Sequence, residues 1–138
     1  MFVGVHERQL DEKGRLALPS VFRALLDETC YLLMGDDRCV TVLSRAEFER
    51  MADQIMDQAR TGEISRNLRR ALAGSASLVA LDKQGRVTID EKLRTFARLE
   101  PGSKVIVAGN LDRAEVWSEE LYERVAASGS GELAGGQE

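Results

Sequence analysis

Two short stretches of the chain alternate apolar and polar residues. Leu16 and Leu18 face one way in the first, and Val87 and Ile89 do so in the second. Alternation with period two predicts half-buried strands. The segments feeding them, residues 3–11 and 78–82, also read as strands. Each alternating stretch leads into a short predicted helix, 20–26 in one case and 91–98 in the other. Pro19 suits the first helical position of the former, and Asp90 suits the N-cap of the latter. Next come two apolar runs around a Gly-plus-acid turn, 31–43 and 104–117, which predict hairpins. A change to helical spacing follows: Phe48, Met51, Ala52, Ile55, Met56 and Ala59 form one stripe, and Ser44 with Glu47 has capping-box spacing. The stripe packs on the chain's own core or forms a subunit interface. A turn at Thr61–Ile64 and a basic connecting helix at 65–73 complete the pattern.

These elements occur twice. At an offset of 71, Asp11, Gly14, Arg15, Leu16, Leu18, Phe22 and Arg23 align with Asp82, Gly85, Arg86, Val87, Ile89, Leu93 and Arg94. At an offset of 74, Gly35 meets Gly109 and SRAEFERM (44–51) meets SEELYERV (118–125). Two copies are too few for a solenoid and imply an internal duplication. The expected class is mainly β with peripheral helices (α+β), a pseudo-twofold fold of two β-α-β-β-α halves. The first repeat covers 1–60, the connecting helix 61–74 and the second repeat 75–127. The Gly/Ser-rich tail at 128–138 is expected to be disordered. With 138 residues, each half alone would be marginal, so the halves are expected to share one core.

Composition narrows the function classes. No apolar run approaches the ~20 residues that span a bilayer, and MFVGVHERQL lacks the layout of a secretory signal. A cytoplasmic location is expected, with Cys30 and Cys39 as small buried hydrophobes in a reducing compartment. The net charge is −4, from 19 Lys+Arg against 23 Asp+Glu. Each half carries −2 when the chain is divided at residue 69. That balance argues against a uniformly basic nucleic-acid footprint. A local basic patch on an acidic body remains compatible with it.

The candidate chemistry lies in the repeated Asp-x-x-Gly-Arg. A tight turn between strands accounts for Asp11, Gly14, Asp82 and Gly85. The aspartate can accept from nearby backbone N–H groups, and glycine takes positive φ. A turn does not require the arginine, and three readings of Arg15 and Arg86 stand. Each can pair with its own aspartate, a contribution of only ~0–1 kcal/mol when exposed. Each can hold subunits together. Alternatively, with Lys13 and Lys83 on the same loops, each can contact an anion or a base edge. A guanidinium fork suits phosphate or guanine O6/N7, and paired loops would present the tips as β-element DNA readers do.

The opening MFxG, the D-x-K-G-R-x-x-x-P block, the second D-x-x-G-R and the late Trp117 together resemble the MraZ family. The resemblance runs from about residue 1 to about 126. It implies an AbrB-like swapped-hairpin fold, a double-split β-barrel. It also implies a bacterial transcriptional regulator of the division and cell-wall gene cluster, including its own promoter. Partners implied are double-stranded DNA and further copies of the chain in a closed ring, an octamer or dodecamer, with a nucleoid location. DNA-binding positions carried over are Arg15 and Arg86, with Lys13 and Lys83 inside the motifs; Asp11 and Asp82 are the motif's acidic positions. Asp90 departs from the family, whose second copy often has proline there. A ring would place the basic loops on one face, gaining avidity on tandem DNA repeats and steep salt dependence.

Other classes find less support. Asp11 and Asp82 could form an acid/base dyad, but a basic neighbour would keep each ionised. His6 is the sole histidine and has no nearby cysteine to make a metal cluster. No phosphate-binding glycine motif is present. Neither enzyme, cofactor, metal nor small-molecule substrate is expected. The stronger rival is a protein-binding scaffold or antitoxin-like module using the apolar helix face at 48–59.

Overall fold

The computed structural model describes residues 1–136. The first half runs β1 (Val5–Gln9), β2 (Arg15–Ala17), α1 (Ser20–Arg23), β3 (Thr29–Met34), β4 (Val40–Leu43) and α2 (Arg45–Thr61). After α3 (Arg66–Ser75), the second half repeats that order. It runs β5 (Ser77–Ala80), β6 (Arg86–Thr88), α4 (Glu91–Ala97), β7 (Lys104–Gly109), β8 (Ala114–Ser118) and α5 (Glu119–Leu133).

The halves exchange strands. Six strands form one antiparallel sheet in the order β1-β7-β8-β4-β3-β5. Thus β1 of the first half pairs with β7 of the second, and β5 of the second pairs with β3 of the first. The short strands β2 and β6 pair with each other as a separate ribbon, Leu16 opposite Val87. Replacing every element by its counterpart leaves this pairing pattern unchanged. Neither half completes its sheet alone, so the fold is one mixed α+β unit around a shared core.

Alternation puts the two sides of the sheet to different uses. On one side Leu32, Val40, Val42, Val105, Val107 and Val116 join Leu16 and Val87 of the ribbon, Phe22 of α1 and Leu93 of α4 in the main buried cluster. Leu16 is fully buried, and truncating such a side chain to Ala costs about 2–5 kcal/mol. A smaller cluster joins Cys39, Ile106, Ala108 and Trp117 to Leu121 of α5. α2 is held more lightly: Phe48 stacks on Tyr31 at 3.8 Å between ring centroids, and the helix has no fully buried residue.

The helix starts follow their caps. The hydroxyls of Ser44, Ser65 and Ser118 and the carboxylate of Asp90 each accept the backbone N–H three residues on. Glu47 does not return a bond to Ser44; its carboxylate takes Arg50 instead. Pro19 is the N-cap of α1 rather than its first helical residue. α1 is also shorter than the expected 20–26. Leu25 and Leu26 donate to carbonyls three residues back, a tightening that ends the helix and turns Leu26 into the core.

The tail expectation needs correction. Residues 128–133 belong to α5, which runs to Leu133. Ser118 caps its start, and Tyr122 and Val125 pack on the smaller cluster. Once a helix is nucleated and anchored, each added residue brings one backbone bond. Residues 137–138 of the expected tail lie outside the described residues.

Candidate nucleic-acid interface

The two Asp-x-x-Gly-Arg loops build themselves with the same set of bonds. Asp11 Oδ1 accepts from the N–H of Lys13 at 2.9 Å and of Arg15 at 2.8 Å. Asp82 Oδ1 accepts from the N–H of Gln84 at 2.9 Å and of Arg86 at 2.8 Å. The Gly14 and Gly85 N–H groups return to the carbonyls of Asp11 and Asp82, closing the turns. Both glycines have positive φ, 78° and 73°, which side chains other than glycine adopt at a cost.

The second carboxylate oxygen holds the arginine. Arg15 Nε donates to Asp11 Oδ2 at 2.6 Å, and Arg86 Nε to Asp82 Oδ2 at 2.8 Å. The first of the three readings, pairing with the loop's own aspartate, is therefore realised in the fold. It occupies the Nε edge only. Among the described residues, no side chain or carbonyl accepts a hydrogen bond from the terminal nitrogens of Arg15 or Arg86. The aspartate thus orients a guanidinium whose outer edge makes no hydrogen bond to the described residues, the edge that makes bidentate contacts with anions and guanine.

The ribbon brings the two loops together. Arg15 lies opposite Thr88, and Arg86 opposite Ala17. The two arginines therefore occupy diagonal positions on one face, with Leu16 and Val87 on the buried face. Arg86 Nη1 comes within 4.0 Å of Asp11 Oδ2, so the two motifs form one charge cluster. All four charged groups remain partly exposed. Lys13 and Lys83 are both exposed on the loops but are not equivalent: Lys13 is two residues past its aspartate, Lys83 only one. Gln84 occupies the position matching Lys13.

The electrostatics answer the dyad question. The backbone N–H of Arg15 first, then its guanidinium, holds the Asp11 carboxyl below the usual carboxylate range. The N–H and guanidinium of Arg86 do the same for Asp82. A general acid would need one carboxyl raised instead. His6 packs edge-on against Phe22 with ring centroids 5.2 Å apart. Among the described residues, no group of three or more His, Cys, Asp or Glu is arranged to hold a metal ion. Nor is any described helix long and apolar enough to cross a membrane.

Two further arginines support the loops, and the sequence reading assigned them no role. Arg94 of α4 lies against Gly14, and Arg23 of α1 lies against Gly85. Each loop is thus backed by a helix of the other half. The Arg94 guanidinium donates to the Ile89 carbonyl, while the Ile89 N–H donates to the Gly14 carbonyl at 2.9 Å. The matching bond runs from the Leu18 N–H to the Gly85 carbonyl at 3.1 Å. The signal was present in the sequence, because Arg23 and Arg94 align in the repeat.

Comparison with known proteins agrees with the internal repeat. The family model described as "MraZ protein, putative antitoxin-like" matches twice, over residues 1–71 and 72–132. Proteins named transcriptional regulator MraZ align along nearly the whole chain. That of Roseiflexus castenholzii is 37% identical, covering 93% of this chain and 88% of its own. That of Paenarthrobacter aurescens is 40% identical, covering 88% and 84%. That of Salinispora arenicola is 38% identical, covering 97% and 93%. With both repeats matched and the relatives aligned over most of their length, the chain belongs to the MraZ family.

Proposed function

We propose that this protein is a sequence-specific DNA-binding transcriptional regulator. It acts on the promoter of the division and cell-wall gene cluster, its own gene included, as a ring of copies facing tandem DNA repeats. The observation carrying this reading is the pair of guanidinium groups, each tied at Nε by its own aspartate, with terminal nitrogens that make no hydrogen bond to the described residues, and set diagonally on one exposed face. Such an edge matches O6 and N7 of guanine in the major groove, and Lys13 and Lys83, exposed on the same loops, supply positive charge for flanking phosphates. The relatives' shared name supports the regulatory role. An acidic chain needs its positive groups gathered in this way, because its overall field repels DNA.

Fluorescence anisotropy with a labelled duplex from the region upstream of the protein's own gene tests the reading. Wild type should bind it in preference to a scrambled duplex and lose affinity steeply as salt rises. Replacing both Arg15 and Arg86 by Ala should abolish the preference while the fold survives. Equal binding of both duplexes by wild type would remove the sequence-specific role.

A second reading has its own observation. The apolar side of α2 is only half-buried by the rest of the chain, as a partner-binding helix face would be, and the matched family is described as putative antitoxin-like. On that reading the helix face at 48–59 takes a protein partner.

A further inference from the structure

An apolar groove runs between α2 and α3 on the outer side of the sheet. Leu33 forms its floor, with Phe48, Met51, Ile55 and Met56 on one wall and Leu72 on the other. Arg69 stands among these lining residues. α3 carries Arg66, Arg69 and Arg70 and no acidic residue, and among the described residues Arg66 and Arg69 pair with no carboxylate. The groove is thus an apolar slot with a positive rim.

The complementary shape is at the other end of the chain. The stripe by which α5 packs on the sheet, Leu121, Tyr122 and Val125, continues at helical spacing into Gly129 and Leu133. There it meets nothing among the described residues: apart from the helix's own backbone, no atom lies within 4 Å of where a Gly129 side chain would start, and Leu133 is 92% exposed. Residues 127–133 therefore overhang the molecule by about 10 Å of helix. Ser128, Gly129, Ser130 and Gly131 are poor helix formers in succession, a sequence suited to a helix end that packs closely against something. α5 is also acidic, with Glu119, Glu120, Glu123 and Glu132 against Arg124 alone. Among the described residues, Glu123 and Glu132 have no basic partner.

We propose that the overhanging end of α5 in one copy, anchored by Leu133, seats in the α2–α3 groove of a second copy, with Glu132 facing the Arg66–Arg69 rim. The slot takes an apolar anchor, the small residues allow close approach, and the charges are opposite. Groove and overhang are separate surfaces, so each copy can give its overhang to one neighbour and its groove to another, a head-to-tail contact that propagates into a ring or an open chain of copies. The inference rests on the self-assembly part of the preceding reading and assigns the surface that performs it. It also gives the apolar face of α2 an occupant other than a foreign protein.

Met56 and Leu133 are 42% and 92% exposed, so Met56→Glu and Leu133→Glu leave the fold intact. Sedimentation of wild type, each variant and their equimolar mixture tests the contact. Wild type should sediment as an assembly and each variant as a monomer. The mixture should form a dimer of twice the protomer mass and stop there, because one intact groove meets one intact overhang. Two results overturn the contact while leaving assembly standing: variants that assemble as wild type does, or a mixture that stays monomeric beside an assembled wild type. A monomeric wild type at every concentration overturns the assembly reading and this contact with it.

Discussion

Gly14 gives the loop architecture its sharpest stability test. Its φ of 78° alone charges an alanine there about 1–2 kcal/mol. The added Cβ would also stand 3.0 Å from the Ile89 carbonyl oxygen and against the Arg94 guanidinium. Relieving that contact disturbs the bond from the Ile89 N–H to the Gly14 carbonyl, worth a further ~1 kcal/mol. Gly14→Ala should therefore cost about 2–3 kcal/mol. Gly62 is the internal control. Its φ is 85°, yet a Cβ there meets nothing within 4 Å among the described residues, so Gly62→Ala should show the backbone cost alone. Urea unfolding at one fixed protomer concentration measures both. At a slope of about 2 kcal/mol/M, the two midpoints should separate by about 0.5 M. If Gly14→Ala unfolds at the same urea concentration as Gly62→Ala, Arg94 does not clamp the loop as described.

Two other outcomes are expected. Asp11 and Asp82 have depressed folded-state values, so the stability they contribute is full above the unfolded value near ~3.9 and is lost as pH falls through the lower folded value. The urea midpoints of wild type and of the Asp11→Asn/Asp82→Asn double variant should thus differ at neutral pH and converge in acid, whereas a gap constant down to pH 2 contradicts the paired carboxylates. Burial pushes the Cys30 thiol up to about 11 and, with Glu115 adding to it, the Cys39 thiol up to about 12. A thiol reagent at pH 8 should label neither in the folded protein and both in denaturant; rapid labelling of the native chain would refute their placement.

Local chemistry was the legible part of this chain. The alternation at Leu16/Leu18 and Val87/Ile89, the Asp-x-x-Gly-Arg turns and the caps at Ser44 and Asp90 are set by residues close in sequence. Strand partners were not legible. Nothing within 1–60 states that β1 bonds to β7 rather than to a strand of its own half, because that choice is made by the shared core. The clamps from Arg23 and Arg94 stayed hidden for the same reason: each acts on a glycine more than sixty residues away, Gly85 and Gly14 respectively. The helical end of α5 defied composition, since anchoring by Leu121, Tyr122 and Val125 outweighs the poor propensity of the glycines and serines beyond. The repeat made the paired arginines visible, and only the geometry showed that their Nε edges are hydrogen-bonded to their own aspartates while their terminal nitrogens are not.

The most direct test of the central claim keeps the charge and removes the fork. In an Arg15→Lys/Arg86→Lys double variant each loop retains a positive tip, so the salt dependence of binding to the upstream duplex should hardly change. The bidentate contact is lost, worth about 1–3 kcal/mol for each well-placed pair, so the preference over a scrambled duplex should fall by at least tenfold. A double variant that retains the full preference would contradict the claim that these guanidinium forks read the DNA.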